Sequence, residues 1–139
     1  MNTVSLKKII QSGVDETYFR DVLPCDLLNG VTAKQFTLIV NNQTKEPGQH
    51  WLAIFKKEGN KDIDFFDSCA MPLSFYNKSI ESFLKKHGSS VHVSYRRLQS
   101  AFSATCGQFC IFFQVLRCNG FTFNVDIVQC CQILSNLLN

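Results

Sequence analysis

The sequence predicts an α+β domain in which helices cover a central, mostly antiparallel sheet. Two observations carry that expectation. Three successive runs, Gln35 to Asn41, His50 to Lys56 and Asp62 to Asp67, are rich in aromatic and β-branched residues and are separated by turn residues, as consecutive strands are. On both sides of them lie tracts with apolar residues at helical spacing, the material needed to cover a sheet. The chain has 139 residues, 45% hydrophobic and 18% charged. That size and balance indicate a single domain over residues 1–139 with one core, and they exclude a disordered tail.

Each element has its own signature. Ser5 to Gln11 is a short helix, with Leu6, Ile9 and Ile10 on one face and Lys7 and Lys8 on the other. Asp21 to Gly30 reads as a loop punctuated by Pro24 and Gly30. The run QFTLIVN is the first strand, Pro47-Gly48 a turn, HWLAIFK the second strand, Glu58-Gly59-Asn60 a hairpin turn, and DIDFFD the third strand. Leu73 to His87 is a helix with Pro72 before it, a Tyr76, Ile80, Phe83 and Leu84 stripe, a Glu81/Lys85 pair, and Gly88 to end it. Val91 to Arg96 alternates apolar and polar residues, as a half-buried strand does. No charge occurs between Arg97 and Arg117, but Gln99, Ser100, Ser103, Thr105, Gln108 and Gln114 make this stretch too polar for a membrane span. It reads as a loop and then a buried helix, Thr105 to Arg117, stopped near Asn119-Gly120. A last helix starts at Asn124 and aligns Ile127, Cys131, Leu134 and Leu138.

Charge and cysteine content narrow the function classes. The net charge of +3 permits an anionic partner without arguing for one. Lys56-Lys57, Lys85-Lys86 and Arg96-Arg97 read first as a solvated face and second as a surface for weak DNA binding. Seven cysteines cannot all pair within one chain. Reduced thiols in an intracellular protein fit this count. Charged residues from Lys7 to Glu16 interrupt any apolar run near the start, so neither secretion nor a membrane location is expected. No Cys-x-x-Cys pair occurs, so no metal site is expected.

Chemistry concentrates in four positions. His87 sits at a helix end and reads as a capping or solvent-facing residue; His92 lies on the polar side of a strand. His50 differs, lying where a Pro-Gly loop enters a strand directly before the single tryptophan, Trp51. Cys106 begins a predicted helix, where free N–H groups and the helix dipole favour a thiolate. Cys110, Cys118, Cys130 and Cys131 fall on apolar helical surface and read as packing. Cys25 and Cys69 fall in loops and read as exposable thiols. A nucleophilic thiol needs a base, an acid to orient the base, and donors for an oxyanion. His50 supplies the base. A hairpin about Gly59 brings Asp67 across from it, with Asp64 the competing acid nearer the strand middle. Gln99 and the Cys106 backbone N–H are the oxyanion donors.

The runs GQHWLAIF, DFFDS, LQS and CGQFC resemble the adenovirus-type (adenain-like) cysteine proteases, which form one superfamily with the SUMO-specific and ubiquitin-like proteases. The order His, acid, Gln, Cys matches. So do the intervals of 17 residues from His50 to Asp67 and 7 from Gln99 to Cys106. The similarity extends from the first helix, through YFRDVLP, to about Phe113. It implies a papain-like cysteine protease core and an endopeptidase with Cys106 as nucleophile, His50 as base, Asp67 as orienting acid and Gln99 as oxyanion donor. Trp51 looks like the aromatic that packs beside the substrate groove. The implied substrates are capsid and core precursors of viruses or large transposons, cut after glycine in small-residue motifs during maturation. The implied setting is the host nucleus or cytoplasm, or the virion.

No cofactor is expected for the chemistry. The resemblance suggests activation by a short peptide or by DNA, but no cysteine lies between Ala70 and Thr105 to tether a peptide. A SUMO or ubiquitin-like deconjugase, and an inactive binding module on the same fold, are the rival readings.

Overall fold

The computed structural model describes residues 2–42, 50–94, 96–98, 105–123 and 129. Helix α1 (Thr3–Gly13) is followed by β1 (Phe19–Pro24), a 3₁₀ turn (Cys25–Gly30), β2 (Phe36–Asn41), β3 (Trp51–Lys56) and β4 (Asp62–Phe66). A second 3₁₀ turn (Leu73–Phe75), α2 (Lys78–His87), β5 (Ser90–Val93) and α3 (Cys106–Cys118) complete the described elements. The expected helix from Asn124, the Pro47-Gly48 turn and Gln99 lie outside the described residues.

The five strands form one sheet in the order β1-β2-β3-β4-β5. The two central pairs are antiparallel, as expected, whereas each edge pair is parallel. The sheet is therefore mixed, because both edge strands arrive through crossovers rather than hairpins. The β3–β4 hairpin turns at Gly59, whose φ of +86° only glycine adopts without strain.

Helices lie on both faces of this sheet. On one face α1 and α3 bury Leu6, Ile10, Phe109 and Phe113 against Ile39, Trp51, Ala53, Phe55 and Phe66. On the other, α2 and the first 3₁₀ turn bury Leu28, Ile80, Phe83 and Leu84 against Phe36, Leu38, Leu52, Ile54 and Phe65. Strand β3 shows the alternation directly: residues 51, 53 and 55 face α3, and 52 and 54 face α2. All six residues of β2 are buried, as a strand covered on both faces requires. Gln114 of α3 is also buried, and its Nε2 donates to Leu38 O at 2.9 Å and Ile54 O at 3.0 Å, fastening α3 to β2 and β3.

Two expectations are corrected. Asp21 to Gly30 is not a loop: residues 19–24 pair with β2 in register from Phe19↔Phe36 to Pro24↔Asn41. Arg20, Asp21 and Pro24 hide this strand, which borrows its hydrogen bonds from β2 and sits at the sheet edge, where proline is tolerated. The helix expected over Leu73–His87 is broken. Tyr76 and Asn77 leave helical geometry, and Asn77 caps α2 by accepting from Ser79 N–H at 2.9 Å. Helix α1 also extends beyond its expected ends, with Asn2 Oδ1 accepting from Ser5 N–H at 2.9 Å. Among the described residues, no helix is long and apolar enough to cross a membrane.

Candidate active site

The site forms at the end of the sheet where β3 begins and β4 ends. His50 immediately precedes β3, and Asp67 immediately follows β4. Antiparallel pairing of the two strands brings these positions together, and His50 Nε2 lies 2.7 Å from Asp67 Oδ1. Cys106 is the first residue of α3, packed against β3 from one side of the sheet. Its Sγ accepts from the Trp51 backbone N–H at 3.4 Å and is hydrogen-bonded to His50. With Nε2 turned to Asp67, the ring offers Nδ1 to the thiol.

Asp67 sits in a dense cradle. Oδ1 also accepts from Cys69 N–H at 2.9 Å; Oδ2 accepts from Met71 N–H at 3.0 Å and from the Tyr76 hydroxyl. Asp67 N–H donates to Ser94 Oγ at 2.8 Å, and the Ser94 hydroxyl returns a bond to Asp67 O at 3.0 Å. The turn after β4 makes the first two contacts possible: Ala70 N–H donates to Asp67 O at 3.0 Å, and Ala70 takes a left-handed φ of +53°. Tyr76 also stacks on His50, with centroids 6.1 Å apart and planes 16° apart.

These contacts set the protonation states. For Asp67, burial favours the neutral acid, but hydrogen bonds from His50 and Tyr76 win and hold the carboxyl below its ordinary value. For His50, burial works against the imidazolium; bonding to Asp67 and Cys106 outweighs it and lifts the ring to about 9. For Cys106, burial opposes the thiolate, yet His50 and the Trp51 N–H bring the thiol below its ordinary value. Both shifts act in the same direction, favouring a thiolate beside an imidazolium.

Of the residues singled out in the sequence, Cys106, His50 and Asp67 meet here. Trp51 adjoins them through its backbone, while its side chain is 5% exposed and packs in the core with Cys106. Gln99 lies outside the described residues; Leu98 N–H donates to Ser68 O at 2.8 Å, beside the Asp67 turn. Asp64 is engaged elsewhere, accepting from Arg117 Nε at 2.6 Å and lying 3.4 Å from His92 Nδ1. His87, expected to cap the helix end or face solvent, is partly buried, its ring packing on Phe83 and Phe36 with centroids 4.3 and 5.4 Å away. Cys25 is fully buried, because its loop folds into the 3₁₀ turn beneath α2. Cys69 is half-buried next to Asp67. Tyr76, Ser94 and the Met71 N–H escape sequence reading; only the hydroxyl on the apolar stripe hints at Tyr76. One donor atom from each of His50, Asp67 and Cys69 lies within 4.8 Å of the other two.

The mixed sheet between helical layers belongs to the fold class of cysteine proteases. Two crystal structures of the ASFV pS273R protease are similar to this chain. One has a TM-score of 0.59 at 14% identity, covering 99% of this chain and 66% of that one. The other, of its selenomethionine form, has a TM-score of 0.52 at 16% identity, covering 77% of this chain and 45% of that one. The chain thus spans between about half and two thirds of the length of those protease chains. The central domain of an uncharacterized protein, Lpg1148, from Legionella pneumophila is similar at a TM-score of 0.62 and 12% identity, covering 100% of this chain and 89% of that one. No protein-family model matches the sequence, and no curated protein does.

Proposed function

We propose that this protein is a cysteine endopeptidase using Cys106, His50 and Asp67. The observation that carries the reading is one imidazole shared between a thiol at a helix start and a buried carboxylate 2.7 Å away. In this mechanism the Cys106 thiolate attacks the scissile carbonyl carbon. The Cys106 backbone N–H and the Gln99 side chain receive the oxyanion. The His50 imidazolium, held by Asp67, gives its proton to the departing amine, and a thioester to Cys106 remains. Water then attacks the thioester carbon, His50 takes the water proton, and the thiolate is released with the acid product. By resemblance to the adenovirus-type proteases, the substrates are capsid or core precursors of a virus or transposon, cut after glycine, with Trp51 beside the groove.

The test is cleavage of a glycine-containing precursor peptide beside a SUMO fusion. The wild-type chain is expected to cut the peptide, and Cys106→Ala to be folded and inactive. A folded, fully active Cys106→Ala protein overturns the assignment; cleavage of the fusion alone selects the deconjugase. Gln99→Ala is expected to cost about 2.7–4 kcal/mol of transition-state stabilisation, read as a fall in kcat. An unchanged kcat would exclude Gln99 as an oxyanion donor.

The pH dependence follows from the same pair. Activity rises as Cys106 ionises, below the ordinary thiol value of 9.0, and falls as His50 loses its proton near pH 9. Iodoacetamide labelling of Cys106 that begins only above pH 9 would contradict the ion pair.

A further inference from the structure

The active-site end of the sheet holds a second thiol that the peptidase chemistry does not use. Cys69 lies two residues beyond Asp67 in the same turn, half-buried, and its own N–H donates to Asp67 Oδ1 at 2.9 Å. Donor atoms of His50, Asp67 and Cys69 lie mutually within 4.8 Å. A sulfur, a ring nitrogen and a carboxylate oxygen at this separation match the ligand types of a tetrahedral divalent zinc centre with one open position. No sequence motif announces it, because its ligands come from the two strand ends and the following turn rather than from a paired-cysteine loop.

We propose that His50, Asp67 and Cys69 form a zinc-binding site whose occupation removes His50 from its bond with Asp67. The carboxylate suits the role because the ion displaces only one of its partners. The Cys69 and Met71 N–H groups and the Tyr76 hydroxyl still hold Asp67 in place, as outer donors orient metal ligands elsewhere. Starting from the imidazolium, binding releases two protons: one from His50 Nε2 and one from the Cys69 thiol. The ring then keeps its Nδ1 proton but has both its second nitrogen and its carboxylate partner committed to the metal. Protease activity would be switched off reversibly by zinc and restored by a chelator.

Only the inhibition rests on the catalytic reading; the binding does not, so the two are tested apart. Cobalt(II) serves as the spectroscopic probe, titrated into the full chain carrying Cys106→Ala. One cobalt per chain with a thiolate-to-cobalt absorption band is expected. The band should vanish when Cys69→Ser is added, and affinity should fall about tenfold or more when His50→Ala is added instead. Loss of the band in Cys106→Ala alone, or its persistence after Cys69→Ser in a chain still folded by circular dichroism, overturns the site. In the metal-competent wild type, zinc should then block peptide cleavage, each protein being compared with its own metal-free rate. Zinc bound without any block overturns the switch. A metal-free wild type that cuts no peptide overturns the peptidase reading and leaves the cobalt result to decide the site.

Discussion

The Asp67 carboxylate accepts four hydrogen bonds and the residue is wholly buried, so it holds a charge where an unpaired one would be costly. Tyr76 is the side-chain donor to Oδ2, while His50 bonds the other carboxylate oxygen, Oδ1. Its position under the imidazole makes it a positioning residue for both groups. Tyr76→Phe keeps the ring and removes the donor. It is expected to cost about 1.5–3 kcal/mol of stability, the range for a hydrogen bond to a charged group. Since the hydroxyl helps hold the Asp67 carboxyl down, the variant should also move that carboxyl up toward 3.8. Denaturant melts check the first outcome and a carboxyl-carbon NMR titration the second. A melted variant whose carboxyl has not moved would leave Tyr76 a packing residue.

At the scale of elements, α2 shows how a side chain overrides a periodic stripe. Asn77 interrupts the apolar run, caps Lys78–His87, and so frees Tyr76 to swing its hydroxyl to the site. The far end of α2 is limited by contact. A Cβ on Gly88 would lie 2.5 Å from Ile63 Cγ2 and 2.8 Å from Ile63 Cβ, and Ile63 is fully buried on β4. Gly88→Ala is therefore expected to destabilise the fold by about 1–3 kcal/mol through overpacking. A urea midpoint equal to wild type would show that α2 can shift without cost.

For the whole molecule, two helical layers meet a sheet whose end carries the charged pair, so stability and site chemistry are linked through pH. Asp67 is depressed in the folded state, so its stabilisation is present above 3.8 and is lost as pH falls through the lower folded value. His50 is raised, so its stabilisation is complete below 6.5 and is lost as pH rises through about 9. Between pH 6 and 2 His50 of the wild type stays charged, so the pair titrates through Asp67, and its contribution is read by comparison with Asp67→Asn. The stability gap between wild type and this variant is expected to be widest near pH 6 and to narrow on acidification. Urea unfolding at several pH values checks this, and a constant gap would mean that Asp67 is not ionised in the folded chain.

Local patterning by itself determines much of this protein. Aromatic and β-branched runs mark β2, β3 and β4, and the turn at Gly59 makes β3 and β4 a hairpin. That hairpin is why His50 and Asp67 could be paired from sequence: antiparallel geometry places one strand's start beside the next one's end. The apolar run after Cys106 marks α3 in the same way. Tertiary structure decides what depends on partners distant in sequence. Strand β1 exists because β2 lends it hydrogen bonds, and the parallel edge pairings come from crossovers that no local pattern encodes. The Tyr76, Ser94 and Met71 contacts around Asp67, the retirement of Asp64 to Arg117, and the approach of Cys69 to His50 are likewise tertiary. Each depends on where a turn or helix end lands against the sheet, and packing rather than residue periodicity sets that position.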